Sequence, residues 1–162
     1  MSTLHGDSRR VIALALEKGA TIGTAESLTG GMIAAALAGI PGASKVLMGG
    51  IVSYDPVVKR DMLGVSQEVL DGVGVVSGEC AAQMAQGAKA RLGADVVVSV
   101  TGLAGPGGGT AQTPVGTVFL GIVGRTELRV EQKRFYGRRQ SIRKQTVKAA
   151  LRMLLEELRN FE

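Results

Sequence analysis

Apolar positions along the chain follow two periods, and the alternation between them lays out the fold. Spacing of three to four residues predicts a helix over Ser8–Lys18, and a short apolar run predicts a strand over Thr21–Ala25. Helical spacing returns over Thr29–Ala38, and Val46–Tyr54 again reads as a strand, interrupted by Gly49-Gly50. Asp55-Pro56 has the form of an N-cap with proline at the first helical position, opening a helix towards Leu63. Ser66–Asp71 predicts another short helix, and Ser77 caps a longer one that runs to Leu92, with Glu79 in its first turn.

The second half repeats the alternation. Asp95–Thr101, with Val96-Val97-Val98 and Val100, has the continuous apolar character of a strand buried on both faces. Gly102–Pro114 is a glycine-rich loop. Val115–Val123 and Glu127–Phe135 predict two strands joined at Gly124-Arg125, hence an antiparallel pair. The last helix spans Ser141–Arg159, with Val147, Ala150, Leu151, Leu154, Leu158 and Phe161 as its apolar stripe. No repeat or linker interrupts the pattern. The expectation is one domain over residues 1–162, an α/β fold built as a three-layer α/β/α sandwich around a mixed, mostly parallel sheet of about five strands.

Composition narrows what such a domain does. With 162 residues, 45% of them hydrophobic, there is material for a real core. No apolar run is long enough to cross a bilayer, and the N-terminus lacks the apolar region of a signal peptide, so a cytoplasmic protein without membrane partners is expected. Cys80 is the only cysteine and His5 the only histidine, which makes a disulfide framework or a Cys/His metal site implausible. No metal and no cofactor are expected. Aromatic residues are only 3% of the chain, too few for a base-stacking nucleic-acid platform.

Charge changes the picture in one place. The net charge is +5, and from Arg125 to Glu162 eleven Lys/Arg stand against five Asp/Glu, so the whole excess lies in the last quarter. A solvated helix face explains most such runs. Arg138, Arg139, Arg143 and Lys144, however, gather at the start of the last helix, where the helix dipole disfavours cations. An anion bound among them would account for the arrangement.

Candidate chemistry concentrates at three segments, each following or ending a predicted strand, where open α/β sheets place their ligands. In Thr24-Ala25-Glu26-Ser27-Leu28-Thr29-Gly30-Gly31, Ser27 sits at a strand-to-helix turn with free backbone N–H groups, which suits a nucleophile, a phosphate cradle or a plain N-cap. The second segment, Ser53-Tyr54-Asp55-Pro56-Val57-Val58-Lys59, carries a tyrosine and a lysine five residues apart. The third is the glycine-rich run Thr101–Thr110. A Ser-His-Asp triad is unavailable with the one histidine near the N-terminus, so a serine nucleophile needs another base. Lys59 suits that role only if burial or a cationic neighbour lowers its pKa; most lysines at such positions are simply solvated. Glu26 fits a group that orients Lys59 or a backbone amide, or a plain dipole-stabilised carboxylate at a helix start. Gly105–Gly109 lacks the Lys-Ser/Thr of a P-loop and reads as a pocket wall or an interface loop.

The three segments AESLTGG, GGIVSYDPVVK and SVTGLAGPGGGTAQTPVGTV, in this order, resemble the C-terminal domain of the competence/damage-inducible protein CinA. That domain also occurs alone as nicotinamide-nucleotide amidohydrolases of the PncC type. The likeness runs from about Ser8 to Leu158. It implies a metal-independent enzyme that deamidates nicotinamide mononucleotide to nicotinic acid mononucleotide and ammonia through a Ser-Tyr-Lys site and an acyl-enzyme. Carried over by motif, the nucleophile is Ser27, with Tyr54 and Lys59 as its proton relay. Backbone groups at Thr29, Gly30 and Gly31 are implied to hold the oxyanion, Thr101 and Gly102 to line the substrate pocket, and Arg139 to hold the phosphate. Family members often flank that arginine with acidic residues, whereas Arg138 and Gln140 stand here, which leaves the choice between Arg138 and Arg139 open. Leu28 replaces a frequent family cysteine. The glycine-rich apolar surface material and the resemblance together imply a homo-oligomer acting on a small-molecule nucleotide. Two other classes stay open: a non-catalytic nucleotide- or partner-binding module of this fold, and a nucleic-acid binder using the basic last helix.

Overall fold

Three strands of the computed structural model, which describes residues 2–162, run parallel: β1 (Ile22–Glu26), β2 (Leu47–Val52) and β3 (Val96–Gly102). Strand β4 (Thr117–Val123) pairs antiparallel with β3, and β5 (Leu128–Arg134) pairs antiparallel with β4. The strand order is β2-β1-β3-β4-β5. Since β5 reverses β4, every strand except β4 points the same way, as expected for a mixed, mostly parallel sheet.

Helices cover both faces. On one side lie α1 (Leu4–Lys18), α2 (Met32–Ala38) and α6 (Arg139–Arg159), which bury Val11, Ile12, Leu37, Leu151, Leu154 and Leu158 against Ile22, Val96, Val98 and Val100 of the sheet. On the other, α3 (Pro56–Leu63) and α5 (Gly78–Leu92) bury Leu63, Cys80, Met84 and Ala88 against Ala25 and Val97. The short α4 (Gln67–Asp71) packs on α5. The alternation of Val96, Val98 and Val100 on one face with Val97 on the other explains the unbroken apolar run of β3: this strand has helices above and below it. Each fully buried leucine or isoleucine of this kind contributes about 1.5–3 kcal/mol.

Helix starts differ from the sequence expectation for identifiable reasons. Helix α1 begins at Leu4 rather than Ser8, because Thr3 is the N-cap and its hydroxyl accepts from the Gly6 N–H at 3.0 Å. Ser8 lies inside the helix and donates its hydroxyl to the Leu4 carbonyl. Helix α2 begins at Met32 rather than Thr29, since Ser27–Gly31 forms a separate turn. Helix α6 begins at Arg139, two residues before the expected start, with Arg138 at its N-cap. A single 3-10 turn over Ala43–Lys45 had no distinct sequence signal.

Strand order positions the site. From β1 the chain passes through α2 to β2 on one side, and reaches β3 on the other side of β1. The point where the connections diverge is therefore just beyond the carboxyl end of β1, the location at which open α/β sheets leave a crevice for ligands. Ser27 is the first residue past that end.

Candidate active site

The nucleophile candidate is held in place by the turn that replaces the first part of α2. The Gly30 N–H donates to the Ser27 carbonyl at 3.0 Å and the Met32 N–H to the Thr29 carbonyl at 3.0 Å. Gly30 and Gly31 have φ of +59° and +102°, in the left-handed region where glycine is favoured, so the pair of glycines is what lets the strand turn this tightly into a helix. Among the described residues, the backbone N–H groups of Leu28, Thr29 and Gly31 find no protein acceptor. They are the unpaired donors of the turn.

Glu26 anchors the turn from below. It is fully buried, and its carboxylate accepts from the Thr29 hydroxyl at 2.6 Å, the Ile33 N–H at 2.9 Å, the Ala34 N–H at 3.0 Å and the Thr24 hydroxyl at 3.3 Å. A buried carboxylate is tolerable only when its oxygens are satisfied in this way, and the N-terminal amides of α2 supply the donors. Of the readings open to Glu26 on sequence, the structure has the carboxylate at the helix start, holding backbone amides; no hydrogen bond joins it to Lys59.

Lys59 reaches the turn from the opposite wall. Asp55 caps α3 by accepting from the Val57 N–H at 2.8 Å, Pro56 occupies the first turn, and Lys59 extends from the next turn into the crevice. Its side chain is 1% exposed, yet it forms no ion pair among the described residues. Instead Nζ donates to the Ser27 Oγ at 2.9 Å, the Ser53 carbonyl at 2.6 Å and the Tyr54 carbonyl at 3.2 Å. Burial holds its pKa below the ordinary lysine value of 10.5, against the smaller opposing pulls of Cys80 and Asp55. Cys80, behind it on α5, is buried, and burial pushes its thiol up to about 11, with Lys59 pulling the other way. The thiol is thus neutral at physiological pH and supplies no counter-charge.

These contacts define what the amine can do. A neutral amine has two N–H donors and one lone pair, and an ammonium has three donors. As an ammonium, Lys59 donates all three contacts; as a neutral amine, its two N–H groups go to the two carbonyls and its lone pair accepts from the Ser27 hydroxyl. Ser27 is 8% exposed, so a ligand in the crevice meets its oxygen while bulk water hardly does.

The crevice has a volume of about 210 Å³, walled by Ser27, Leu28 and Lys59 on one side and by Thr101–Gly105 on the other. Thr101 is buried and its hydroxyl donates to the Val75 carbonyl at 2.8 Å, so it shapes the wall rather than offering a free hydroxyl. Gly102 leaves no room for a side chain, since a Cβ there would come within 2.6 Å of the Thr117 carbonyl oxygen. Gly105 and Gly107 belong to this wall as well, so part of the glycine-rich run forms the pocket wall.

The mouth is crossed by Tyr54 and Arg139. The Arg139 guanidinium donates through Nη2 to the Tyr54 Oη at 2.9 Å and through Nη1 to the Gly105 carbonyl at 2.8 Å. The phenol is 58% exposed and makes no hydrogen bond to Ser27 or Lys59; the part of Tyr54 that meets Lys59 is its carbonyl. Arg139 and not Arg138 lines the crevice. Arg143, one helical turn further on, does not join Arg139. It donates to the Leu28 carbonyl at 2.8 Å through Nε and to the Thr29 carbonyl at 3.2 Å through Nη2. Sequence reasoning placed Arg143 in an anion cluster; the four-residue spacing from Arg139 was the signal that both share one helix face towards the site.

The structure therefore brings Ser27, Lys59, Thr101, Gly102, Tyr54 and Arg139 to one crevice, with Tyr54 and Arg139 at its rim. Thr29, Gly30 and Gly31 follow Ser27 in the turn but do not line the crevice, and the Gly30 N–H is taken by the Ser27 carbonyl, so Gly30 is not the oxyanion donor that the resemblance implied. Among the described residues no three of His, Cys, Asp and Glu gather as a metal-ligand set, and no helix is long and apolar enough to cross a membrane.

Comparison with known proteins agrees with this architecture. Residues 6–158 match the family model of the CinA C-terminal domain. The CinA-like protein of Dictyoglomus turgidum is 45% identical over 150 residues, which is 93% of this chain and 36% of that protein. The CinA-like protein of Leptospira borgpetersenii is 54% identical over 112 residues, 69% of this chain and 27% of that protein. The chain spans about a third of the length of such relatives. Solved structures match it end to end. A CinA superfamily protein from Klebsiella pneumoniae superposes with a TM-score of 0.94 at 33% identity, covering 98% of this chain and 99% of that one. The competence/damage inducible protein CihA from Agrobacterium tumefaciens gives 0.92 at 44% identity, with 98% and 99% covered. From the match along nearly its whole length, in sequence and in fold, the chain belongs to the CinA C-terminal domain family.

Proposed function

We propose that the protein is a serine amidohydrolase that deamidates nicotinamide mononucleotide to nicotinic acid mononucleotide and ammonia. The observation that carries this reading is the 2.9 Å contact between Ser27 Oγ and the Nζ of a lysine that is 1% exposed and has no anionic partner in contact. A lysine buried without a carboxylate is costly as an ammonium, and the cost favours the neutral amine that a general base requires.

In the reaction, the Lys59 amine takes the Ser27 hydroxyl proton as Oγ attacks the carboxamide carbon. The carbonyl oxygen becomes an oxyanion beside the unpaired N–H groups of the Ser27–Gly31 turn, and each donor used is worth about 10²–10³ in rate. Collapse of the tetrahedral intermediate breaks the C–N bond, and Lys59 returns its proton to the leaving nitrogen, giving ammonia and a Ser27 ester. Water then attacks the ester carbon, Lys59 takes the water proton, and the acid departs as Ser27 recovers its hydrogen. Each proton borrowed by Lys59 is handed back within the same half-reaction.

Size and charge support a nucleotide amide. Pockets that enclose whole drug-sized ligands measure about 300–1000 Å³; a crevice of about 210 Å³ suits the ring and its carboxamide, with the remainder outside. Arg139 at the rim, with exposed Arg138 and Lys144 on the same helix start and no acidic residue in the wall, suits a phosphate there. The test is ammonia release from nicotinamide mononucleotide compared with nicotinamide, which has the same amide and no phosphate. Turnover confined to the nucleotide supports the reading; no ammonia from either contradicts it.

A further inference from the structure

The turn that carries Ser27 is gripped from two sides by side chains that contact neither Ser27 Oγ nor Lys59. From β1, the Glu26 carboxylate holds the Thr29 hydroxyl and the first amides of α2. From α6, more than a hundred residues away in sequence, the Arg143 guanidinium holds the carbonyls of Leu28 and Thr29. Its remaining side-chain contact, from Nη1 to Gln140 Oε1 at 2.7 Å, keeps the guanidinium plane from rotating. Arg143 forms no ion pair among the described residues; its bonds go to neutral carbonyl oxygens.

Peptide planarity turns that grip into a constraint on the site. The Leu28–Thr29 bond is trans, so the Thr29 N–H points opposite to the Leu28 carbonyl. Fixing that carbonyl on Arg143 directs the Thr29 N–H away from α6. The same holds for the next peptide: the Thr29 carbonyl faces Arg143, and the Gly30 N–H points the other way, to the Ser27 carbonyl. Gly30, at φ +59°, has the conformational freedom to let these planes flip if nothing holds them. The Leu28 carbonyl accepts from Arg143, so the Leu28–Thr29 plane is oriented by this side chain from the last helix, whereas the Thr29–Gly30 plane is also held by the backbone, through the Gly30 N–H on the Ser27 carbonyl and the Met32 N–H on the Thr29 carbonyl.

We propose that Arg143 is a positioning residue, which holds the turn after Ser27 so that its unpaired amides are preset for the developing oxyanion, and is not a ligand of the substrate's anion. This rests on Ser27 being the nucleophile, as in the proposed function. Catalytic donors aimed in advance cost nothing to reorganise at the moment of reaction, and misplacement by about 1 Å is worth about 10²-fold in rate.

A fluorophosphonate that phosphonylates activated serines tests this without depending on the amide substrate, because its displacement also develops negative charge on an oxygen held by the same amides. The whole chain is treated with the probe, and the modified residue is located by mass spectrometry. Labelling at Ser27 in the wild type is expected, slowed about 10- to 100-fold in Arg143→Ala and by an intermediate factor in Arg143→Lys, with the pH midpoint of labelling unchanged. On the nucleotide amide, kcat is expected to fall in parallel while KM stays within about twofold. Arg143→Lys, the milder change, decides the matter if Arg143→Ala does not fold. Labelling of both variants at the wild-type rate, or a raised KM with kcat intact, overturns the positioning role. Absence of Ser27 labelling in the wild type overturns the nucleophile assignment and this inference together. Labelling without ammonia release overturns only the choice of substrate.

Discussion

Arg139 and Tyr54 meet across the mouth of the crevice, the guanidinium donating to the phenol oxygen at 2.9 Å. This contact ties the start of the last helix to the junction between β2 and α3, and its second arm, to the Gly105 carbonyl, ties in the glycine-rich wall. One side chain of the last helix thus joins two of the three chemistry-bearing segments, Ser53–Lys59 and Thr101–Thr110. A phosphate arriving at the rim competes with the neutral phenol for that guanidinium, and charge-assisted bonds are about twice as strong as neutral ones. Arg139→Ala is therefore expected to raise KM for the phosphorylated substrate by about 10- to 100-fold, from the loss of about 1.5–3 kcal/mol, with kcat within about threefold. Steady-state kinetics check this, and an unchanged KM removes Arg139 from phosphate binding.

Tyr54 meets Lys59 through its backbone carbonyl and Arg139 through its phenol. Replacing the phenol by a phenyl ring leaves the carbonyl in place. Tyr54→Phe is expected to keep kcat within about fivefold of wild type, well short of the 10²–10⁴ of a lost acid–base group. A drop of that larger size would put the phenol in the proton path as a relay between Lys59 and Ser27.

Lys59 gives a pH signature. Its folded pKa is lowered by burial, so kcat/KM is expected to rise with pH through a midpoint below 10.5, as the neutral amine becomes populated. Lys59→Met should lower kcat by about 10²–10⁴ and abolish that limb. Stability follows the same titration. Between the lowered folded pKa and 10.5, the unfolded chain binds a proton that the folded chain does not, so stability rises with pH across that window. Below the folded pKa the cost of the buried charge is present in full. Denaturant titrations of wild type against Lys59→Met should show this gain at alkaline pH; a difference independent of pH would contradict it.

Glu26 offers a test of the turn's other anchor. Glu26→Gln puts an NH₂ group where an oxygen now accepts from a backbone N–H or the Thr29 hydroxyl, leaving one buried donor unpaired. Such a group costs about 1–3 kcal/mol. A matching loss in denaturant stability is expected, and an undiminished stability would mean that the carboxylate's contacts are dispensable.

How much of this was legible in the sequence depended on whether a residue acts through its side-chain type or through the backbone. The Val96–Val100 run marked a strand buried on both faces, and Asp55-Pro56 marked the start of α3, because apolar period and cap chemistry are local properties. Ser27, Lys59 and Arg139 were identifiable from motif residues, and the structure brings them to one crevice. The carbonyls of Ser53 and Tyr54, which occupy the Lys59 amine, were not, since every residue has a carbonyl and only the fold aims it. Arg143 reads with Arg139 as part of an anion cluster because a group of cations looks alike in sequence whatever it faces; in the fold its guanidinium faces the Leu28 and Thr29 carbonyls. Thr29 followed by apolar residues imitates a cap and predicts too early a start for α2, while the Gly30-Gly31 pair delays the helix to Met32.

The contact between Ser27 Oγ and Lys59 Nζ is the centre of the account, and one comparison tests it most directly: ammonia release from nicotinamide mononucleotide by the wild type and by Ser27→Ala, with folding of both verified by circular dichroism. The expected result is steady turnover by the wild type and none above the uncatalysed background by the folded variant. Deamidation by Ser27→Ala at the wild-type rate would contradict the account.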